Sequence, residues 1–282
     1  MQKKRRPLLA SFLNAINPGL GFLYLGKLRL AIGFPLLFML VVALAAWSRI
    51  ILLPTGFSLL VAFLLALWAC SMVLAFILAK RAGVAELGRL QTWYGYLGFF
   101  VISSLLFSVV LDNRSKIFGY ETFSLPTASM SDTLRHGDFI IADTWAFKSR
   151  DPERGEVVIF RLPGDPSIKY AKRVIGLPGD TVEIRGGRVN VNGQTLSESY
   201  VLPENNQRLS YERPGSYQLP DDAFFLMGDN RDNSLDSRFW GFVPRANLHG
   251  SVVFIWFSSG PEQGVRWDRI GLRISTENAP ST

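Results

Sequence analysis

The chain is poor in the residues that most enzymes use for chemistry. It has one cysteine, Cys70, and two histidines, His136 and His249. One cysteine excludes an intramolecular disulfide. One cysteine with two histidines cannot build a tetrahedral zinc site from the usual ligands. Acidic residues are almost missing from the first part: residues 1–111 hold ten Lys or Arg and a single acid, Glu86. The remaining residues, 112–282, hold 20 Lys or Arg and 22 acids. The overall charge of +7 therefore belongs to the apolar part, and the later part is slightly acidic. A nucleic-acid-binding domain needs a basic patch on its folded part, and that is lacking.

What is present instead is apolar length. Three runs, Leu30–Trp47, Gly56–Ala79 and Trp93–Leu111, contain no Lys, Arg, Asp or Glu. A bilayer core needs about 20 apolar residues, and three such runs in succession read as transmembrane helices. Lys and Arg collect on cytoplasmic flanks. Lys3, Lys4, Arg5, Arg6, Lys27 and Arg29 precede the first run, and Lys80, Arg81 and Arg89 follow the second. Only Arg49 lies between the first and second. The expectation is a multi-pass protein of the inner (plasma) membrane with its N-terminus inside and residues 112–282 outside. The segment Pro7–Tyr24 is apolar but broken by Asn14, Asn17, Pro18, Gly19 and Gly21, which suits an interfacial or re-entrant piece better than a fourth span. Its stretch Asn17–Gly26 resembles a turn motif at the start of small two-helix membrane modules.

After Leu111 the pattern changes to short β-branched runs separated by turn residues: Asp138–Ala142, Glu156–Arg161, Tyr170–Ile175, Thr181–Ile184, Arg188–Val191, Ala223–Met227 and Ser251–Phe257. This predicts a mostly-β domain. Gly186-Gly187 and Asn192-Gly193 read as two-residue hairpin turns. The expected organisation is a membrane domain over 1–111 and a β domain over 112–282, with a hairpin-rich insertion at about 184–222 lying away from the chemistry.

His136 and His249 sit in turn-like contexts and read as surface residues. The run Gly228–Arg238 invites a calcium-loop reading, but Arg238 and Val243 fall where ligands belong. It reads instead as a tight loop held by side-chain hydrogen bonds and Asp–Arg pairs. A serine–lysine dyad is left. Its lysine must be neutral to act as a base and must therefore be desolvated. Of the four lysines beyond residue 112 (Lys116, Lys148, Lys169 and Lys172), only Lys172 shares a strand face with Ile168, Tyr170 and Val174. The alternative is an edge-strand lysine that snorkels to solvent.

Four blocks decide between these. Leu125–Leu134 with Gly137-Asp138, Arg154–Phe160, Ala171–Asp180, and Gly228–Arg238 with Phe239–Pro244 follow one another in the order and spacing of type I signal peptidase, the membrane-bound Ser–Lys protease family. The resemblance implies a signal peptidase-like β fold and removal of N-terminal signal peptides from secretory preproteins with small residues before the cut. It implies Ser129 as nucleophile and Lys172 as general base. Ser129 N–H and the Thr127 hydroxyl would form the oxyanion hole, Ser234 would contact the lysine, and Asp236 and Arg238 would pair. No cofactor is implied, and the partners are preproteins and the lipid bilayer, not nucleic acid. The chain departs from the family in having Asp132 where a proline usually stands, and in having more than one or two spans. Two other readings follow from those departures: a catalytically silent, membrane-tethered β module that binds exported polypeptides, and a peptidase specialised for one secretion or pilus substrate.

Overall fold

The computed structural model describes residues 2–82, 84–86, 88, 90–124, 128–131, 133–208, 215–261 and 264–276. Two compact units result, Met1–Phe118 and Gly119–Thr282.

In the first unit, strand β1 (Gln2–Lys4) pairs antiparallel with β2 (Val84–Glu86). The helices are α1 (Pro7–Ile16), α2 (Leu20–Tyr24), α3 (Leu28–Trp47), α4 (Pro54–Ala82), α5 (Trp93–Asp112) and α6 (Arg114–Phe118). Helices α3, α4 and α5 have mean hydropathies of 2.4, 2.6 and 1.9 and are long and apolar enough to cross a membrane. They coincide with the three uncharged runs. Helix α1 has ten residues and reaches only about 15 Å, half a bilayer core. Its chain then turns at Asn17–Gly19, where Gly19 has φ +145 and a Cβ would lie 2.5 Å from the Ala31 carbonyl oxygen. Buried Asn14 satisfies this turn. Its Oδ1 accepts from Gly19 N (3.1 Å) and Gly21 N (2.8 Å), and its Nδ2 donates to the Ser71 carbonyl of α4 (2.9 Å). Backbone amides with no water to bond need such partners.

The second unit is built on an antiparallel sheet in the order β12-β11-β6-β5-β13-β4-β3, with β14 on β13. Its strands are β3 (Tyr120–Ser124), β4 (Asp138–Asp143), β5 (Val157–Leu162), β6 (Asp165–Gly176), β11 (Ala223–Met227), β12 (Val243–Pro244), β13 (Leu248–Gly260) and β14 (Gly264–Val265). Successive residues of a strand face opposite ways. Val157 and Ile159 join one apolar cluster with Met130, Leu134, Ile140 and Val252. Val158 and Phe160 join another with Val174, Phe224 and Leu226. Burial on both faces explains why β5 reads as a continuous apolar run rather than an alternating one. The sheet curls far enough that Lys169 of β6 meets Glu121 of β3 at 2.9 Å, although three strands separate them in the sheet order.

A smaller sheet, β10-β7-β8-β9, comprises β7 (Thr181–Arg185), β8 (Arg188–Val191), β9 (Gln194–Thr195) and β10 (Gly215–Gln218). Both predicted hairpin turns are present: Gly186 and Gly187 have φ 58 and 71, and Asn192 and Gly193 have φ 53 and 79. Positive φ at both central positions matches the right-handed twist of the flanking strands.

Candidate active site

Ser129 lies in a turn five residues beyond β3. Ser131 N donates to the Ala128 carbonyl (3.1 Å), and Thr133 N to that of Met130 (2.9 Å). Met130 and Leu134, 2% and 0% exposed, sink into the apolar cluster on one sheet face and fix the turn to it. Lys172 enters from β6, opposite Val158 of β5. It is 1% exposed, and its Nζ donates to Ser129 Oγ. Its face carries the Tyr170 ring, 5.8 Å from Nζ, and buried Val174. Desolvation pushes the Lys172 amine down to about 8. The carboxylates of Asp236 and Asp229 oppose that shift and the Arg238 guanidinium reinforces it.

The loop from Gly228 to Arg238 backs this pair. Gly228 is a close approach: a Cβ there would lie 2.3 Å from Ser234 Oγ and 2.4 Å from the Ser129 carbonyl oxygen. Asp236 and Arg238 pair at 2.8 Å, and Asp236 Oδ2 also accepts from Gly228 N (3.1 Å). Burial alone would raise the Asp236 carboxyl, but hydrogen bonds and charge from Arg238 hold it below the usual carboxylate range. Arg238 Nη2 further donates to the Arg231 carbonyl at 2.8 Å. Ser234 is buried in this loop beside Asp236, whose carboxyl its hydroxyl also helps to hold down, and among the described residues no hydrogen bond joins it to Lys172. Thr127 and Asp132 lie outside the described residues.

Several residues with clear places at this site carry no separate role in the sequence reading. Asn230 N donates to the Ser129 carbonyl (3.2 Å), while Asn230 Nδ2 donates to the Ala128 carbonyl (3.1 Å) and Ser131 Oγ (2.9 Å). Asn230 thus clamps the serine turn at three points. Arg173, fully buried beside Lys172 in sequence, bonds both oxygens of Asp229 (2.8 and 2.7 Å) and Thr133 Oγ1 (2.9 Å). The Arg–Asp run in the sequence signals such pairing, but not that Arg173 is the partner.

The insertion is less remote than the sequence suggests. Glu198 pairs with buried Arg231, and Asp232 accepts from Gln207 N (2.7 Å) and Arg208 N (2.9 Å). The segment after β9 therefore returns to the loop behind the serine, carried there by buried carboxylate pairs that strand periodicity cannot show. Asp232, Asp236 and Asp229 are all engaged by protein donors, and no metal-holding cluster occurs among the described residues. His136 is exposed. His249, read as a surface residue, is half-buried instead, and its Nε2 lies 2.6 Å from Glu121 Oε2.

Chemically, a hydroxyl in contact with an amine that is partly neutral near pH 8 is an activated nucleophile. A family described as "Signal peptidase, peptidase S26" matches residues 98–257. "Probable signal peptidase I-2" of Synechocystis sp. is 38% identical over 170 residues, covering 58% of this chain and 75% of the relative. "Signal peptidase I" of Pseudomonas aeruginosa is 35% identical over 196 residues, covering 53% and 68%. A crystal structure of a signal peptidase I from Enterococcus faecalis is similar at 33% identity and a TM-score of 0.32, covering 36% of this chain and 97% of that one. With more than half of its length matched, and with curated relatives above 30% identity over more than two thirds of their own length, the chain belongs to the signal peptidase family, peptidase S26.

Proposed function

We propose that this membrane-bound signal peptidase cuts signal peptides from secretory preproteins with Ser129 as nucleophile and Lys172 as general base. The contact between a fully buried lysine amine and the Ser129 hydroxyl carries the reading. When Lys172 is neutral the hydrogen bond reverses: Ser129 Oγ–H donates to Nζ. The hydroxyl then attacks the scissile carbonyl as its proton passes to the amine, and the ammonium so formed returns a proton to the leaving amine. Water, activated by the same amine, would release the acyl-enzyme. The oxyanion is assigned to Ser129 N–H and the Thr127 hydroxyl on the family resemblance. Ser234 is assigned to the ammonium on the family resemblance, and its burial in the loop against Gly228 supports that role. The Asp236–Arg238 pair holds the loop that carries Ser234, and Asn230 and Arg173 hold the serine turn in register.

The reading extends to topology and substrate. The Lys and Arg asymmetry supports an N-terminus inside, three spans, and residues 112–282 on the extracytoplasmic side. Small residues before the cut are expected at the substrate. Membrane tethering of both enzyme and substrate raises their effective concentration.

The test is cleavage of a model preprotein by the purified full chain. Ser129→Ala and Lys172→Ala should each abolish cleavage while leaving the protein folded. Cleavage by Lys172→Ala at the rate of the unsubstituted enzyme overturns the dyad.

A further inference from the structure

Lys172 and Arg173 follow one another on β6, so their side chains leave the strand on opposite faces. Lys172 meets Ser129, while Arg173 enters a second buried site. There its guanidinium bonds Asp229 (2.7 Å), Thr133 Oγ1 (2.9 Å) and the Gly155 carbonyl (2.6 Å). The Tyr200 ring lies against that guanidinium, with Cζ 4.0 Å from the ring centroid. A guanidinium stacked on an aromatic face is held by the ring's quadrupole as well as by its hydrogen bonds. Tyr200 is itself buried and belongs to the apolar cluster of the smaller sheet, with Val182, Val189 and Val191. Its ring therefore carries the packing of that sheet onto the residue next to the base.

The same segment reaches the nucleophile by a second route. Glu198 meets both terminal nitrogens of Arg231: Nη1 donates to Oε2 at 3.1 Å, and Nη2 donates to Oε1. Burial pushes the Tyr200 phenol up, so it stays protonated and donates to the same carboxylate at 3.1 Å. Arg231 Nε donates in turn to the Gly228 carbonyl at 3.1 Å. Gly228 is the residue that packs against the Ser129 carbonyl and Ser234. A buried guanidinium needs a carboxylate to meet its charge, and a two-point pair fixes its orientation as well. One short stretch of the insertion thus stands behind both reacting groups. It backs Lys172 through Arg173, and Ser129 through Arg231 and Gly228.

We infer that Glu198 and Tyr200 are positioning residues for the cleavage reaction: they hold Arg231 and Arg173, and through them keep the Ser129 turn and the Lys172 strand at reacting distance. This rests on the dyad reading above. It makes the insertion part of the frame that sets the reacting geometry. Rate is steeper in that geometry than folding is, since a misplacement of about 1 Å costs about 10²-fold.

The experiment uses the full chain in detergent and one model preprotein. It measures kcat and KM separately, with thermal unfolding on the same preparations. Glu198→Gln removes the charge and keeps the shape; Tyr200→Leu keeps apolar bulk and removes the ring over Arg173. Each should lower kcat by about tenfold or more and leave KM within about twofold. Tyr200→Phe keeps the ring and should keep most of kcat. Val189→Ala thins the same apolar cluster but leaves both residues in place, so it should lower the thermal midpoint with kcat near normal. Normal kcat in folded Glu198→Gln or Tyr200→Leu enzyme, whatever its thermal midpoint, overturns the role of that residue. An equal loss of kcat in Val189→Ala, or a loss confined to KM, overturns both. Should Glu198→Gln fail to fold, the Tyr200 variants decide, because Tyr200→Leu leaves the Glu198–Arg231 pair in place. Cleavage by Ser129→Ala at the rate of the unsubstituted enzyme removes the dyad reading itself, and the inference with it.

Discussion

Lys172 loses its proton at about 8 in the folded chain and at its ordinary 10.5 when unfolded, because burial penalises the ammonium. Between those values the unfolded chain binds more protons, so folding becomes more favourable as pH rises; below about 8 the folded chain carries a buried ammonium at a cost of roughly 3 kcal/mol. Two outcomes are expected. Cleavage should rise with pH through about 8, since only the neutral amine accepts the serine proton. Lys172→Met should abolish cleavage yet raise the thermal midpoint at pH 6, and the gain should shrink as the pH approaches 10. Thermal unfolding of both proteins across that range checks the second outcome, and a Lys172→Met variant less stable at every pH contradicts it. Lys172 is legible in the sequence because its strand face is otherwise apolar, and an unpaired amine among Ile168, Tyr170 and Val174 has a physical consequence. Ser129 is not legible in that way. Nothing about a serine in a turn marks it as a nucleophile until the four blocks are compared with a family. Arg173 escapes for a different reason: its partner Asp229 is 56 residues away, and a charged residue beside Ala171 and Ile175 reads as solvent-facing.

At the scale of elements, the serine turn, β6 and the loop after β11 meet through buried polar groups rather than through sheet pairing. The Arg173 and Asp229 side chains are 0% and 1% exposed, and Thr133 Oγ1 donates to Asp229 Oδ2 at 2.5 Å. Removing one member of such a pair leaves an uncompensated charge, a loss of about 3–5 kcal/mol. Asp229→Ala should therefore lower stability by that amount in denaturant unfolding and release the serine turn, with a larger loss in kcat than in substrate binding. A cost below about 1 kcal/mol would show that solvent reaches Arg173. The strands themselves are mostly readable, since β4, β5, β7, β8, β11 and β13 follow β-branched runs and the two hairpins follow their glycines. Strand β3 is not, because Tyr120–Ser124 mixes polar and aromatic residues and, among the described residues, its strand partner is β4. The exposed start of β6, Asp165–Ser167, is missed for the same reason: an edge under no demand for burial shows no apolar pattern.

At the scale of the whole molecule, orientation depends on how many times the chain crosses. Counting α1 and α2 as a crossing would make four spans and place the catalytic unit on the same side as the N-terminus. The helix geometry argues for three. Helix α1 covers about 15 Å and α2 half of that, and the turn between them is closed by Asn14 rather than continued as helix. Arg5 and Arg6 precede α1, while Lys27 and Arg29 flank the start of α3. A crossing by α1 and α2 would put Arg5 and Arg6 on one side of the bilayer and Lys27 and Arg29 on the other, against the tendency of Lys and Arg to stay cytoplasmic. Together with Lys80 and Arg81 at the end of α4, the basic residues collect on one face only if the count is three. Protease added to sealed, right-side-out cells should therefore degrade Gly119–Thr282 and spare the 83–91 connection between α4 and α5, which should become accessible only after the membrane is opened. Cleavage at 83–91 in sealed cells, with the β unit protected, reverses the orientation, and with it the side on which preproteins would be cut.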